Sequence, residues 1–205
     1  MGCFVKICGI ANAADVRAVA ELRPDAMGFV FWPGSRRAVK ADDVGAWLRD
    51  VPAGIKRVGV FVDAAPDDVL ELMERAGLDA AQLHGHETSA AFARFPKPIW
   101  RAVSLRPGMA PDLSGWSVDA YLVDTYSSQT PGGTGQVGDW PAARAFVAQS
   151  PKPVLLAGGL TPENVREALR AVRPWGADVS SGVEAGPGRK DLDKVRRFIE
   201  QCRAE

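Results

Sequence analysis

Short apolar runs recur along the whole chain, and most are followed by a stretch whose apolar positions fall three and four apart. The runs are nearly continuous rather than alternating, which marks strands buried on both faces of a parallel sheet. Residues 5–9 predict a first strand. Asn12 then caps a helix whose apolar face is Val16, Val19, Ala20 and Leu22. Residues 26–31 predict a second strand, 32–37 a loop and 42–49 a helix. A third strand over 58–62 leads to a helix opened by Pro66 and running through Met73. A fourth strand over 80–84 precedes a helix from about residue 88 to 95, and a fifth strand covers 99–103.

The pattern loosens after the fifth strand. Residues 104–118 hold Pro107, Gly108, Pro111 and Gly115 and show no period, so a short helix or irregular chain is expected there. The sixth strand covers 120–124. A Ser/Thr/Gly-rich loop over 127–135 follows, and its length marks a mobile, functional segment over a site. A helix is expected near 141–148, a seventh strand over 154–157, a helix over 162–172 and an eighth strand over 177–180. A closing helix over 191–202 aligns Leu192, Val195, Phe198 and Ile199 on one face. Eight strand–helix units of roughly 25 residues each can close a parallel sheet into a (β/α)8 barrel, a TIM barrel of the α/β class. No boundary or second domain interrupts residues 1–205, so one barrel domain is expected.

Composition narrows the function. The chain has 205 residues, 46% hydrophobic and 24% charged, enough for one substantial core. Lys+Arg and Asp+Glu are both 25, and no basic or aromatic-interleaved patch suggests nucleic acid. No apolar segment has the length of a membrane span, and the first residues lack a signal-peptide core, so a cytoplasmic protein is expected. Cys3, Cys8 and Cys202 have neither a disulfide pattern nor metal-ligand spacing.

Two late strands end in glycine. Leu155-Leu156-Ala157-Gly158-Gly159-Leu160 is followed by Thr161 as a candidate cap, Pro162 at the first helical position and Glu163 on the dipole. Asp178-Val179-Ser180-Ser181-Gly182-Val183-Glu184 is the second such end. Bare backbone N–H groups beside a helix start suit a phosphate monoester. In a barrel of this kind the turns after strands seven and eight form a phosphate cradle, and functional side chains sit at the carboxyl ends of strands. That rule selects Cys8, Arg36, Gln82, His84, Asp124, Asp178 and Ser181. Of these, Cys8 as a thiolate is a candidate base and Asp124 a candidate acid.

The segments Lys6-Ile7-Cys8-Gly9-Ile10, Gly28-Phe29-Val30-Phe31, Ser35-Arg36-Arg37, Gln82-Leu83-His84-Gly85, Asp124-Thr125, Gly132-Gly133-Thr134-Gly135, Ala157-Gly158-Gly159-Leu160 and Asp178 through Glu184 resemble the phosphoribosylanthranilate isomerases of tryptophan biosynthesis. The likeness runs from the first strand to the last helix. It implies a (β/α)8 barrel without cofactor or metal, acting on a small phosphosugar as a monomer or homodimer. It implies an Amadori rearrangement of N-(5-phosphoribosyl)anthranilate, with Asp124 as general acid and Cys8 as general base. It further implies Arg36 on the anthranilate part and phosphate at Gly159, Ser181 and Gly182. Gly158 is expected to join that phosphate site, and Gln82, His84 and Asp178, taken from the strand-end rule, are expected to contact substrate. The Gly-rich loop after Asp124 would cover the substrate.

Strand parity adds an expectation that does not depend on the resemblance. If Cys8 faces the mouth, Lys6 lies beneath it inside the barrel, and Asp178 faces inward on the neighbouring eighth strand. A lysine there must be paired. Lys6 is therefore expected to pair with Asp178 and to bias Cys8 toward thiolate. His86, in the following loop, is expected to be exposed. Two other readings are weighed against the isomerase. An epimerase or indole-glycerol-phosphate synthase would depend on metal-binding His/Asp sets or Lys/Glu pairs, and two histidines in the chain count against them. A non-catalytic or differently specific phosphosugar-binding barrel is the other.

Overall fold

The computed structural model describes residues 2–105, 111–124 and 139–205. Eight parallel strands close into a barrel in sequence order: β1 (Phe4–Ile7), β2 (Ala26–Val30), β3 (Lys56–Phe61), β4 (Ala80–Leu83), β5 (Ile99–Ser104), β6 (Ala120–Asp124), β7 (Val154–Ala157) and β8 (Gly176–Val179). Closure comes from β1 against β8, with Phe4 opposite Gly176 and Lys6 opposite Asp178. The expected topology is observed. The loop expected over 127–135 lies outside the described residues.

Among the described residues the α-helices are α1 (Ala13–Glu21), α2 (Ala41–Trp47), α3 (Pro66–Ala76), α4 (Trp140–Gln149), α5 (Val165–Val172) and α6 (Leu192–Arg203). Local chemistry sets their starts. Asn12 accepts from Asp15 N at α1, Pro66 opens α3, and Asp191 accepts from Asp193 N and Lys194 N at α6. Between β8 and α6 the chain adds a small antiparallel pair, β9 (Glu184–Gly186) with β10 (Arg189–Lys190).

Two helix expectations are corrected. Residues 88–95 form turns, not a helix. Isolated hydrogen bonds such as Phe95 N to Phe92 O (3.1 Å) replace a helical ladder. Eight residues are too few to nucleate alone, and Pro96 and Pro98 end the segment. Phe92 is buried all the same, against Phe95 and the indole of Trp116. The helix after β7 begins at Val165 rather than at Pro162. Asn164 folds back, its Oδ1 accepting from Thr161 N (2.8 Å) and its Nδ2 donating to Gly159 O (2.9 Å), and so holds residues 159–164 as a loop. Thr161 Oγ1 caps only the Glu163 N–H of that loop (3.2 Å).

The core has two parts. Outward strand residues such as Val5, Ile7, Met27, Phe29, Leu83, Leu156 and Val179 pack under the helices with Val16, Met73, Val165 and Phe198. Inward residues Ala26, Val58, Ala80, Trp100, Ala120, Leu122, Leu155 and Ala157 fill the barrel, with Phe4 closing the floor edge-on to Trp100 at 5.9 Å. At the strands' amino ends an aspartate recurs. Asp25 accepts from Val5 N (2.8 Å), Asp79 from Arg57 N (2.8 Å) and Asp119 from Ile99 N (2.9 Å). Each stands just before an even-numbered strand and satisfies an N–H of the strand preceding it, locking that pair in register.

Candidate active site

Cys8 follows β1 immediately, its N–H bonded to Val179 O at 2.8 Å. Gly9 then turns the chain outward at φ +71°, a conformation a side chain would strain. Below the thiol, Lys6 is fully buried inside the barrel and its Nζ lies 2.9 Å from Asp178 Oδ1, as strand parity requires. Lys6 also acts on the neighbouring Cys8 thiol. Room for this meeting comes from Gly28, where a Cβ would stand 2.6 Å from Cys8 Sγ and 3.0 Å from Lys6 Nζ. Burial pushes the Lys6 ammonium down, but Asp178 and Cys8 together push it up further, so it stays charged. For Cys8 burial wins. It pushes the thiol up by more than Lys6 pulls it down. The expected bias from Lys6 is present, but the net direction is toward thiol, because an ion in a buried site loses its hydration.

Across the barrel, Gln82 and His84 face inward from β4 and its end. Gln82 Nε2 lies 3.1 Å from His84 Nδ1, and Gln82 Oε1 has no hydrogen-bond partner among the described residues. Burial holds the His84 ring below its ordinary pKa, so it is neutral at pH 7. With the amide donating to Nδ1, the ring proton is on Nε2, which faces Asp124 Oδ2 at 3.8 Å. His84, at the end of β4, thus faces the end of β6 across a gap wider than a hydrogen bond. His86 is fully outside, its side chain 96% exposed.

The loop after β2 carries two arginines with different fates. Arg36 is exposed and makes no ion pair among the described residues. Arg37 forms a fork with Glu184, at 2.8 Å from Nε to Oε1 and 2.7 Å from Nη2 to Oε2. Buried Lys190 completes the group, its Nζ 3.0 Å from Glu184 Oε1 and 3.1 Å from Ser180 O. Burial pushes Glu184 up, but Arg37 and Lys190 together outweigh it and hold the carboxyl below its ordinary range. Sequence reasoning missed Gly28, Arg37, Glu184 and Lys190. A glycine in mid-strand and charges within an otherwise buried stretch were the available signals.

The two glycine-edged turns are in contact. Gly158 (φ +89°) and Gly159 (φ +64°) take backbone shapes that favour glycine, and Gly182 is pressed so closely on the Leu160 carbonyl that a Cβ there would overlap it. Ser181–Val183 forms one 3-10 turn, which Ser181 opens as an exposed residue. Asp178, expected to touch substrate, has its Oδ1 engaged by Lys6. Gln82, His84, Asp124, Cys8 and both turns lie at one end of the barrel. A cavity of about 470 Å³ opens elsewhere, lined by Cys3, Arg170, Arg173 and Trp175 among others. Cys3 and Trp175 precede β1 and β8, so this is the amino end of the strands, where barrel residues serve stability. Among the described residues no group of three or more His, Cys, Asp or Glu side chains is placed to hold a metal ion.

A closed parallel barrel with a thiol, an imidazole and a carboxyl group turned into its carboxyl-end mouth defines a (β/α)8 barrel equipped for acid–base chemistry. The family model described as N-(5'phosphoribosyl)anthranilate (PRA) isomerase matches residues 5–201. The N-(5'-phosphoribosyl)anthranilate isomerase of Thiobacillus denitrificans is 43% identical over 209 residues, covering 100% of both chains. A crystal structure of phosphoribosyl anthranilate isomerase in complex with reduced 1-(o-carboxyphenylamino)-1-deoxyribulose 5-phosphate superposes with a TM-score of 0.83 at 33% identity, covering 99% of this chain and 100% of that one. Monomers generated from the dimeric isomerase of Thermotoga maritima superpose with a TM-score of 0.84, at 33% identity and with the same coverage. The chain belongs to the phosphoribosylanthranilate isomerase family.

Proposed function

We propose that this barrel, over residues 1–205 as one domain, catalyses the Amadori rearrangement of N-(5-phosphoribosyl)anthranilate to 1-(2-carboxyphenylamino)-1-deoxyribulose 5-phosphate in tryptophan biosynthesis. Asp124 gives its proton to the ribose ring oxygen, and the ring opens to a Schiff base. Cys8, as thiolate, takes the proton from C2. The resulting enolamine becomes the aminoketose by gaining a proton at C1 and losing the one on its C2 hydroxyl. The phosphate lies on the backbone of Gly158, Gly159, Ser181 and Gly182, which fixes the sugar between the thiol and the carboxyl. Arg36, whose guanidinium is exposed and unpaired among the described residues, is available to the anthranilate carboxylate. Gln82 and His84 line the wall beside the sugar, and neutral His84 presents its Nε2–H on the Asp124 side. The loop after Asp124 covers the substrate and excludes water. The enzyme works in the cytoplasm, as a monomer or a homodimer, without cofactor.

One observation carries this reading: an inward thiol and an inward carboxyl end separate strands of the same mouth, beside two glycine-edged turns held in contact. The test is turnover of phosphoribosylanthranilate followed by loss of anthranilate fluorescence. Wild type should turn over. Cys8→Ser and Asp124→Asn should each lose at least ~100-fold in kcat. Wild-type kcat in either variant would remove that residue from its role, and absence of turnover in the wild type would leave only a binding protein.

A further inference from the structure

Lys6 is fully buried inside a protein barrel, where a charge is expensive, and two apolar residues of similar volume would serve packing as well or better. Its retention therefore needs a reason beyond packing. The reason is above it. Lys6 Nζ reaches Asp178 Oδ1 on one side and the Cys8 thiol on the other, and Gly28 withholds a side chain at the point where the two groups meet.

We infer that Lys6, held as an ammonium by Asp178, is the positioning residue that receives the Cys8 thiolate, and that Asp178 acts through Lys6 rather than by touching substrate. The inference rests on Cys8 being the base. Cys8 sits in an environment that favours the neutral thiol, yet the reaction needs the thiolate. An ammonium already in place supplies the counter-charge without reorganisation when the proton leaves. Asp178 keeps the lysine protonated, so that it donates to sulfur rather than accepting from it.

The charges facing the thiol support this. Lys6 on β1 and Asp178 on β8 lie below it. Lys190 on β10 and Arg37 from the loop after β2 act on it from the rim, and both are held by Glu184 on β9. His84 at the end of β4, neutral at pH 7, feels Lys6, Asp178 and Asp124 across the barrel. Of the charges that act on the thiol, Lys6, Lys190 and Arg37 favour the thiolate and Asp178 opposes it.

The test is alkylation of Cys8 by iodoacetamide as a function of pH, in the full-length, ligand-free enzyme. It is read on the Cys8 peptide by mass spectrometry so that Cys3 and Cys202 do not contribute. The pH–rate profile is measured beside it. Asp178→Asn leaves Lys6 with the thiolate as its only anionic partner, so the alkylation profile should move to lower pH. Lys6→Met combined with Asp178→Asn leaves no unpaired charge to unfold the barrel. It should move the profile up by about one unit and lower kcat at neutral pH about tenfold, with KM little changed and activity regained as pH rises. Shifts of opposite sign support the inference. A wild-type alkylation profile in both variants, or activity lost equally at every pH, would overturn it and leave Lys6 a structural residue. If the profiles shift as stated but alkylated enzyme still turns over, the assignment of Cys8 as base fails while the pairing of Lys6 with the thiolate stands.

Discussion

The barrel has two interiors, and they obey different rules. The shell between strands and helices is built from side chains such as Val5, Phe29, Met73 and Phe198, and the buried helix faces are apolar but for Asp15 of α1, which accepts from Lys190 N. The space inside the strands is apolar at its floor, where Phe4, Trp100 and Ala120 pack, and along β6 and β7, where Leu122, Leu155 and Ala157 face inward. Higher up it holds Lys6, Asp178 and Gln82, all buried. The shell lowers its free energy by removing apolar surface from water, and any well-fitting side chain will serve. The upper interior accepts charged and unsatisfied groups that no packing argument would choose. Chemistry is placed where the core departs from its own rule.

The largest way to sharpen this comparison is through activity. Cys8→Ser and Asp124→Asn should lose at least ~100-fold in kcat while the melting temperature moves little, because neither substitution changes volume much. Phe198→Ala in the shell should do the reverse. It should cost ~3–5 kcal/mol of stability in denaturant unfolding, with kcat of the folded fraction kept.

Breaking the buried pair tests the interior itself. Lys6→Met alone leaves Asp178 as an uncompensated buried charge and should cost ~3–5 kcal/mol. Neutralising Asp178 as well should return most of that loss. If the single and double variants unfold at the same denaturant concentration, the ion pair is not what holds this layer.

The legibility of the sequence divides along the same line. The shell was readable because its residues repeat with period 3.6 on helices and lie in nearly continuous runs on strands, so all eight strands and the order of closure followed from pattern. Inside the barrel only parity was available. It sufficed for Lys6 and Asp178, which share a rung of the β1–β8 ladder. It did not reach Arg37, Glu184 and Lys190, which meet through a loop and a short hairpin with no period. The turns over 88–95 were misread as a helix because local propensity favoured one, while Pro96, Pro98 and the docking of Phe92 decided otherwise. The bias that Lys6 exerts on Cys8 followed from parity; that burial outweighs it did not, because parity locates a cation but does not measure burial. The aspartates before β2, β4 and β6 carried a repeat, Asp-Ala, that a search for strand starts would have found.

Smaller effects probe the rim. Gly182→Ala should push the loop after β8 off the Leu160 carbonyl and raise KM for the phosphosugar about tenfold, near the ~1.5 kcal/mol of one charge-assisted hydrogen bond, with kcat little changed. An equal rise for a substrate analogue lacking the phosphate would detach these turns from the anion. The smallest of these effects is in the acid slope set by Glu184, whose folded pKa lies below its unfolded one. Its stabilising share is therefore present above the unfolded value near ~4.3 and lost as pH falls through the folded value. Acid unfolding followed by circular dichroism should be shallower over that window in Glu184→Gln, and an unchanged slope would assign the acid loss to other carboxylates.

The most direct test of the acid–base mouth is a crystal structure of this chain with the reduced product analogue bound. The account predicts the phosphate on the amides of the turns after β7 and β8, the carbon corresponding to C2 facing Cys8 Sγ, and the oxygen derived from the ribose ring facing Asp124. Phosphate seated at another strand end, or a Cys8 thiol turned away from the sugar, would contradict it.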